Sequence, residues 1–328
     1  MALKQDILSI LENMRGKAVS GQQLADMLAV SRNSIWKAIK SLEKEGYRIT
    51  AVTNKGYMLD SDNDILSKES ILAQLDDKYK QNDIIVLKTT TSTNSEAMKM
   101  LQDKKIRHGT LIVSDEQTQG RGRMGKSFFS PKSGIYMSVC LCKDIENMSD
   151  VMIITPAAAV AVRRGIEALT DKDAKIKWVN DVYLGKKKVC GILTQADIDF
   201  ESGKAGTFIV GIGINFVEQD FPDDIKDRAC ALFEGKPDIT RSQMIAKVYS
   251  ELLQLTDNLA DHSFMEEYKS NSLVKGKVIS YTISGQAKKG RVEDIDNNGG
   301  LIIDEEGYGK RVLTCGEISI KSADGEWI

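Results

Sequence analysis

Residues 1–59 contain three stretches of helical hydrophobic periodicity followed by two short strand patterns, and this order constrains the fold strongly. Boundary residues mark the three helical stretches: Gly16 ends the first, Ser20 and Gln23 open the second as a capping box, and Ser31 and Gly46 flank the third. Residues 47–52 and 56–59 then read as two strands joined by a short turn. Helix, helix, turn, helix, hairpin is the order of a winged helix-turn-helix.

The charge of this region favours a nucleic-acid role. Residues 1–59 hold nine Lys/Arg against five Asp/Glu, a net charge of +4, whereas the whole chain carries −2. The third helix would present its first turns to a DNA groove, and the hairpin tip would form the wing. The candidate DNA-binding residues are Ser20, Arg32, Asn33, Ser34, Lys37 and Lys55. The alternative is that the winged helix serves protein contacts and that these side chains only solvate a helix face.

Bulk composition sets wider limits. A chain of 328 residues with 41% hydrophobic and 28% charged residues has enough material for two or three domains. No signal-peptide pattern is visible, and the longest apolar stretch, residues 151–162, contains Pro156 and is too short to span a bilayer. We therefore expect a cytoplasmic protein with no membrane partner.

Cysteine and histidine usage argues against a zinc site and against triad chemistry. The five cysteines lack metal-ligand spacing, which predicts reduced, buried thiols. With only His108 and His262 present, a histidine-based triad or a zinc site is not expected.

The rest of the chain reads as an α+β pattern. Strands are predicted at 84–88, 111–114, 135–142, 176–178, 189–196 and 207–214, with helices at 156–169 and 241–260. Residues 273–320 are rich in strands, with turns at 284–285 and 296–300, and suggest a small barrel or sandwich. An acidic segment, residues 60–64, reads as a linker. The expected domains are 1–64, 65–271 and 272–328.

One segment in the middle of the chain carries strong chemical information. Residues 120–125, Gly-Arg-Gly-Arg-Met-Gly, place two guanidinium groups between glycines on a flexible backbone. Arginine matches carboxylate and phosphate oxygens, so the segment is suited to closing over a small anion. The string also fits a dinucleotide-binding fingerprint, but bulky arginines fill its gaps and no helix is predicted after it. A solvated turn is the remaining alternative.

Three further polar clusters lie at predicted strand ends, where irregular backbone tends to carry function. They are Thr91–Asn94, the segment 177–188 with Asp181 and a lysine triplet, and the segment 211–215, Gly-Ile-Gly-Ile-Asn. Each alone has a structural explanation. Hydroxyl runs often cap helices, lysine triplets often solvate turns, and Gly211 and Gly213 could simply let a sheet pack closely against a helix.

Together and in this order, the clusters resemble the bifunctional biotin protein ligases that also act as biotin operon repressors. The resemblance covers essentially the whole chain, and its strongest marks are residues 120–125, the Lys-Trp-x-Asn-Asp segment at 177–181 with Lys188, and residues 211–215. It implies a winged helix-turn-helix, a central mixed-sheet ligase domain and a C-terminal SH3-like β-barrel.

The resemblance also implies roles for individual residues. Lys188, Arg121 and Arg123 would be catalytic. The biotin site would add Ser92, Thr93, Asn94, Gln117 and Gly122, and the nucleotide site would use Gly120, Phe128, Asn180 and Asn215. Asp181 would hold Mg²⁺. Two positions depart from the family: Val179 stands where proline is common, and Phe128 where tryptophan often faces adenine.

The implied activity is synthesis of biotinyl-5'-AMP from biotin and ATP, followed by transfer of biotin to a lysine of a carboxyl-carrier domain. The expected partners are the carrier domain of acetyl-CoA carboxylase or pyruvate carboxylase, operator DNA, and a second copy of the chain when biotinyl-5'-AMP is bound. Three alternatives stay open at this point: a regulator that no longer ligates, a lipoate-type ligase, and a ligase whose winged helix does not bind DNA.

Overall fold

The computed structural model describes residues 2–145, 148–199, 204–283, 286–314, 316 and 318–320. The chain divides into two compact units. The N-terminal unit comprises Met1–Gln81 with Pro237–Lys247, and the second unit comprises Asn82–Lys236 with Val248–Ile328. The finer division into three domains stays a prediction.

The N-terminal unit begins with the predicted helix-helix-helix-hairpin order. Its elements are α1 (Ala2–Asn13), α2 (Gly21–Met27), α3 (Arg32–Lys44), β1 (Ile49–Val52) and β2 (Gly56–Leu59). The Ser20 capping box is present, and the Ser31 hydroxyl accepts a hydrogen bond from the Ser34 amide at 3.1 Å. Apolar residues of the three helices and the hairpin form one buried core. The winged helix-turn-helix prediction is confirmed in its element order.

The acidic segment at 60–64, which the sequence suggests is a linker, lies within this unit and is bonded to it. Arg15 donates to the Asn63 carbonyl oxygen at 2.6 Å, and the Asn63 side chain accepts from the Arg48 amide at 3.0 Å. Asp64 pairs with the nearly buried Arg241 at 2.7 Å. The unit also contains α4 (Lys68–Leu72) and a 3-10 turn at Asp77–Tyr79.

The second unit is built on a seven-stranded sheet. Its strands are β3 (Ile84–Leu87), β4 (Thr110–Ser114), β5 (Ile135–Ile145), β6 (Ala174–Lys177), β7 (Asp181–Leu184), β8 (Lys187–Asp199) and β9 (Lys204–Ile214). The spatial order is β3-β4-β5-β9-β8-β7-β6, and only β3 and β4 run parallel. This is the mixed sheet expected from the sequence.

Helices also follow the N-terminal unit's α4. They are α5 (Thr93–Gln102), α6 (Met148–Met152), α7 (Ile154–Leu169), α8 (Arg241–Asp257) and α9 (Phe264–Ser270), and the first residues of α8, up to Lys247, belong to the N-terminal unit. α5 packs on β4, β5 and β9, whereas α7 packs on β6, β7 and β8 and against α9. No helix in the described part of the chain is long and apolar enough to cross a bilayer.

The C-terminal part of the second unit is a five-stranded antiparallel sheet. Its strands are β10 (Val278–Ile283), β11 (Gln286–Ile295), β12 (Leu301–Glu305), β13 (Gly309–Leu313) and β14 (Ile318–Ile320), in the order β13-β12-β11-β10-β14. Among the described residues, the edge strands β13 and β14 do not pair, so a closed barrel is not confirmed. The predicted turn at 296–300 is present between β11 and β12, and the turn predicted at 284–285 lies outside the described residues.

Candidate functional site

The Gly-Arg segment forms a closed loop in the second unit. The Phe128 amide donates to the Gly120 carbonyl oxygen at 2.9 Å and joins the two ends of the loop. A 3-10 turn at Arg123–Gly125 forms the tip, and the next regular element is the strand β5. Because no helix opens after the glycines, the geometry is not that of a dinucleotide-binding turn.

This loop borders an open pocket, the small pocket. It gathers polar side chains from four segments that are far apart in sequence. The predicted site residues that line it are Ser92, Thr93, Asn94, Gln117, Arg121, Gly122, Arg123, Phe128, Asn180 and Lys188.

Neutral hydrogen bonds organise the inner wall of the small pocket. Ser138 Oγ lies 2.7 Å from Thr93 Oγ1 and 2.6 Å from Asn94 Oδ1, and all three residues are buried. The Asn94 amide group donates to Gln195 Oε1 at 2.9 Å and to the Leu193 carbonyl oxygen at 3.2 Å. Buried polar groups held by several partners keep a fixed geometry. The wall is therefore preorganised for a neutral polar ligand.

The helix α5 begins at this wall, and its capping is unusual. Ser92 occupies the N-cap position, but its hydroxyl does not bond to the first turn of the helix. Instead, Gln117 Oε1 accepts a hydrogen bond from the Thr93 amide at 2.8 Å, and the Gln117 amide group donates to Ser130 Oγ at 3.0 Å. The structural explanation of the hydroxyl run as a simple cap therefore does not hold for Ser92, which faces the pocket.

Two glycines of β9 form part of the floor. A Cβ atom at Gly211 would lie 2.3 Å from Asn94 Oδ1, and one at Gly213 would lie 2.6 Å from the Phe128 ring. Only glycine leaves room for these two side chains to lie on the sheet. The two glycines thus permit close packing of the sheet, which is the structural explanation given for them above. The side chain that packs on Gly211 is Asn94 of α5, which also lines the small pocket.

A second, larger pocket, the large pocket, adjoins the first. Five residues line both pockets: Gly122, Arg123, Phe128, Asn180 and Lys188. Its remaining walls include Lys126, Asp181 and Arg228 together with Tyr281 of β10. The two pockets therefore form one cleft with cationic groups at its junction.

Lys188 stands at that junction. Its Nζ atom lies 2.7 Å from Asp181 Oδ1, and both side chains are partly exposed to the cleft. The register of β7 and β8 shifts beside it, where Val182 pairs with Cys190 and Tyr183 pairs with Lys188. Burial raises the pKa of the Tyr183 hydroxyl, and the Asp181 carboxylate raises that pKa further. The ammonium group thus enters the cleft beside a neutral phenol and one carboxylate.

Asn180 fixes the loop to the sheet. Its Oδ1 atom accepts from Arg123 Nη1 at 3.1 Å, and its amide group donates to the Ile192 carbonyl oxygen at 2.8 Å. Arg123 Nη1 also lies 3.4 Å from the Gly316 carbonyl oxygen. Arg121 is exposed and lines the small pocket. The two loop arginines therefore differ: the Arg123 side chain is tethered to Asn180, whereas the Arg121 side chain is exposed at the small pocket.

The Trp178–Val179 segment is hydrogen-bonded to the turn between β11 and β12 of the C-terminal sheet. The Trp178 indole is buried and donates to the Gly299 carbonyl oxygen at 2.8 Å. Tyr268 donates to the Val179 carbonyl oxygen at 3.1 Å, and the peptide bond between Trp178 and Val179 is cis. Val179 thus occupies a turn that is held by hydrogen bonds on both sides.

Two predicted nucleotide-binding residues are placed differently from the others. Gly120 is buried and lines neither pocket, since its Cβ position is occupied by Phe128 O and Ser130 Oγ. Asn215 lines the large pocket, but its amide group donates to the Cys230 carbonyl oxygen at 3.0 Å. An effect of Gly120 on a nucleotide would therefore be indirect, through the loop, whereas Asn215 borders the large pocket with its amide nitrogen already engaged.

Sequence reasoning missed several residues of the cleft. They are Ser130, Ser138, Lys177, Gln195, Arg228 and Tyr281. The buried Lys177, whose Nζ atom lies 3.4 Å from the Tyr183 hydroxyl, belongs to a motif that was recognised without a role for its first residue. The others carry no local signal. Pairing in the central sheet places Ser138 and Gln195, whereas Ser130 and Arg228 lie in segments outside helices and strands, and Tyr281 comes from the C-terminal sheet.

The cysteines agree in part with the expectation. Cys140 and Cys190 are buried, Cys142 and Cys230 are partly exposed, and Cys315 lies outside the described residues. All four described thiols are free. Burial raises the pKa of Cys140 to about 12, so this thiol is unreactive at neutral pH.

In the N-terminal unit, the predicted DNA-binding residues have two kinds of environment. Arg32, Asn33 and Lys37 are exposed on α3, and Lys55 is exposed at the turn of the hairpin. The Ser20 side chain accepts from the Gln23 amide at 3.0 Å and is occupied by helix capping. Ser34 Oγ likewise lies 2.9 Å from Ser31 Oγ. The exposed side chains of Arg32, Asn33, Lys37 and Lys55 are thus the groups available to a ligand.

Comparison with known proteins places these units in a family. Residues 86–215 match the model of the biotin/lipoate A/B protein ligase family, and residues 4–58 match a helix-turn-helix domain model. The bifunctional ligase/repressor BirA of Bacillus spizizenii is 38% identical over 236 residues, which is 71% of each chain. The chain belongs to the biotin protein ligase family.

Two further relatives extend this assignment. The bifunctional ligase/repressor BirA of Escherichia coli is 25% identical over 323 residues, 97% of each chain. The solved structure of the biotin protein ligase from Aquifex aeolicus in complex with biotin and ATP superposes with a TM-score of 0.62 at 29% identity. That match covers 74% of this chain and 99% of the other. The family resemblance inferred from the sequence is confirmed, and the relatives belong to its biotin branch.

Proposed function

We propose that this protein joins biotin to ATP and transfers the activated biotin to a lysine of a carboxyl-carrier domain, and that it also represses genes by binding DNA. The observation that carries the ligase part is the cleft: a small pocket with a neutral inner wall and a large pocket meet at Lys188 and Arg123. Two substrates bound in adjacent pockets would meet where these cations lie. The relatives supply the identity of the substrates.

The small pocket is suited to the head group of biotin. That group is neutral and offers ureido donors and acceptors, which match the hydroxyl and amide groups of Ser92, Thr93, Asn94 and Gln117. A preorganised neutral wall gives specificity because a ligand without matching groups would leave buried atoms unpaired.

Lys188 is the proposed centre of the first step. A biotin carboxylate oxygen attacks the α-phosphorus of ATP, the bond to the β-phosphate oxygen breaks, and pyrophosphate leaves with that electron pair. The Lys188 ammonium group, now 2.7 Å from Asp181, would turn to the two anions and offset their repulsion. No enzyme nucleophile takes part in this scheme.

The side chains of the cleft are suited to a Mg²⁺ ion that is bound mainly by the phosphates of the nucleotide. Among the described residues, no group of three or more His, Cys, Asp or Glu side chains could hold a metal ion. Asp181 lines the large pocket and offers one carboxylate, which accords with the habit of Mg²⁺ of taking one or two protein oxygens and several phosphate oxygens. Such an ion would neutralise phosphate charge, and Asp181 would position it.

The Gly-Arg loop is the proposed lid for the adenylate. Arg123 and Arg121 carry charge-assisted donors, each contact of this kind being worth about 1.5–3 kcal/mol. With the lid in place, water would be kept from the mixed anhydride. In the second step, the amine of the carrier lysine attacks the acyl carbon, and AMP leaves. Phe128, which lines both pockets, would stack on the adenine ring.

The DNA part of the proposal rests on the helix-turn-helix and its exposed cations. α3 would enter the major groove with Arg32, Asn33 and Lys37, and Lys55 would reach the backbone from the wing. One winged helix reads a short half-site, so we infer a homodimer on a two-fold operator, promoted by bound biotinyl-5'-AMP. We also infer a cytoplasmic location and a carrier domain of acetyl-CoA carboxylase or pyruvate carboxylase as substrate. For the C-terminal sheet we infer an SH3-like barrel.

One incubation tests the ligase proposal. The protein is mixed with ATP, Mg²⁺, biotin and a purified carboxyl-carrier domain, and the product is detected on a streptavidin blot. We expect a labelled carrier that disappears when ATP is omitted. Replacing biotin with lipoate in a parallel reaction addresses the lipoate-ligase alternative, for which carrier lipoylation would be decisive. An unlabelled carrier with normal pyrophosphate release would favour the regulator that no longer ligates.

A gel-shift titration tests the repressor proposal separately. DNA from upstream of biotin-synthesis genes is titrated with the protein, with and without biotin plus ATP. We expect tighter binding with both ligands. Active ligation without any shifted DNA would leave the enzyme proposal standing and remove the repressor proposal.

A further inference from the structure

The helix α3 presents an aromatic side chain on its cationic face. Ile35, Ile39 and Leu42 point into the core, whereas Trp36 is 49% exposed. Lys37 beside it is also exposed. Trp36 is the fifth residue of the helix and lies one turn from Asn33 and Lys40, which are exposed as well.

An exposed tryptophan at this place has an energetic consequence. A tryptophan side chain can bury about 150–250 Å², so half-exposure leaves on the order of 100 Å² of mostly apolar surface in water. Solvation of the helix face needs only polar side chains, and it does not require this residue. The indole therefore gains most when a ligand covers the face of α3.

The charge around Trp36 favours an anionic ligand. Arg32, Lys37 and Lys40 surround it on the exposed face, and α3 has no acidic residue in its first turn. The one carboxylate of the helix, Glu43, is paired with Lys40 at 2.6 Å. A protein partner would need an acidic surface with an apolar centre. A DNA major groove supplies phosphates at both rims and the 5-methyl groups of thymine at its floor.

We propose that Trp36 is a specificity-determining residue of the DNA interface, where its indole packs against the 5-methyl group of a thymine while the surrounding cations contact phosphates. The inference rests on the proposed DNA binding and assigns a direct base contact to a residue that neither the sequence motifs nor the capping pattern singled out. Apolar contact with the thymine methyl group discriminates this base from cytosine and from uracil.

The test compares four proteins on matched duplexes. Wild type first selects a duplex from a random-sequence pool in the presence of biotin, ATP and Mg²⁺. Dissociation constants are then measured for wild type, Trp36→Ala, Trp36→Phe and Lys37→Ala, on the selected duplex, on an unrelated duplex, and on versions in which each thymine in turn is replaced by uracil. Trp36 is exposed and alanine is the best helix former, so the helix is retained. Far-UV circular dichroism and biotin transfer to the carrier domain verify this.

We expect Trp36→Ala to bind the selected duplex at least tenfold more weakly, with binding to the unrelated duplex changed less than twofold. Trp36→Phe should lie between these values. One uracil replacement should weaken wild type several-fold and leave Trp36→Ala unchanged, which identifies the contacted base by a double-mutant cycle. Lys37→Ala should weaken binding to both duplexes and lower the salt dependence by about one ion.

Several outcomes would overturn the inference. If Trp36→Ala lost the same affinity for both duplexes, Trp36 would contribute only to non-specific DNA binding. A uracil effect of the same size in Trp36→Ala, or none in wild type, would remove the thymine contact. A change in the oligomeric state of Trp36→Ala, with DNA affinity retained, would assign the residue to a protein interface. If wild type selects no duplex, the DNA-binding proposal itself fails, and this inference fails with it.

Discussion

The small and large pockets share five residues but are held by different chemistry. The inner wall of the small pocket is a buried network of neutral groups around Asn94 and Ser138. The large pocket is bounded by charged side chains, among them Lys126, Asp181 and Arg228, and by Tyr281, which neighbours an ionic cluster. A neutral network gives fixed geometry and insensitivity to salt and pH, whereas charged walls attract anions and titrate. In this cleft, the neutral wall of the small pocket provides specificity, and the charged walls of the large pocket provide electrostatic attraction.

The largest expected effect comes from a substitution at the junction between the two pockets. Lys188→Ala removes the cation that both substrates would share, and we expect ATP-dependent pyrophosphate release to fall roughly 10²–10³-fold or more, with the fold intact. Lys187→Ala is the matched control, because this neighbouring lysine lines neither pocket and its Nζ atom lies 3.4 Å from the Lys226 carbonyl oxygen. Substantial adenylation by Lys188→Ala would refute the role of the ammonium group.

The second largest effect is expected from a substitution in the Gly-Arg loop, the proposed lid. Arg123→Gly loses the hydrogen bond to Asn180 and a charge-assisted donor, so bound biotinyl-5'-AMP should escape at least about tenfold faster and label stray lysines. Met124→Gly is the control, since it adds a glycine to the same loop at a position with φ 53° and keeps the guanidinium group. Escape rates are measured with a preformed, radiolabelled adenylate. Equal rates for Arg123→Gly and wild type would contradict the lid.

The neutral wall predicts a smaller and more selective effect. In Gly211→Ala, the new methyl group would meet Asn94 Oδ1 at 2.3 Å and disturb its contact with Ser138. We expect the KM for biotin to rise about tenfold, with the KM for ATP nearly unchanged. Gly235→Ala has open space around the added atom and serves as the control. A parallel rise of both KM values would show that the wall does not act on biotin alone.

The smallest expected effect is a loss of folding stability in acid. It tests the charged cluster next to Tyr281, which lines the large pocket. Lys288 lies 2.5 Å from the buried Glu305, and this hydrogen bond lowers the pKa of the Glu305 carboxyl. The unfolded chain therefore binds the proton more readily, so the pair stabilises the fold above pH about 4.5, and this contribution is lost as pH falls through the lower folded value. Chemical denaturation at pH 6, 5, 4 and 3 measures the loss.

The variant Glu305→Gln should show a flatter decline in unfolding free energy over the same pH range. Glu306→Gln, at the exposed neighbouring position, is the control and should follow wild type. Identical acid profiles for Glu305→Gln and wild type would show that the ionic cluster beside Tyr281 does not contribute to stability.

Local signals predicted much of the architecture. The Ser20 capping box and the Ser31 cap placed two helices of the N-terminal unit correctly, and alternating or continuous apolar runs found most strands of the central sheet. These features depend on neighbouring residues, so they can be read along the chain. Neither the helix α5 nor the strand β7 is predicted from the sequence, because the polar first residues of both resemble ligand-binding clusters.

The sequence by itself determined the element order of the N-terminal unit, the Gly-Arg loop and the motif residues that place the chain in its family. Only the tertiary structure decided that Ser138 and Gln195 complete the network at Asn94, that Asn180 tethers Arg123, and that Trp36 stays exposed. The physical reason is separation along the chain. Pairing of β5, β9 and β8 brings together residues from distant segments, and no spacing in the sequence encodes which side chains then share a pocket.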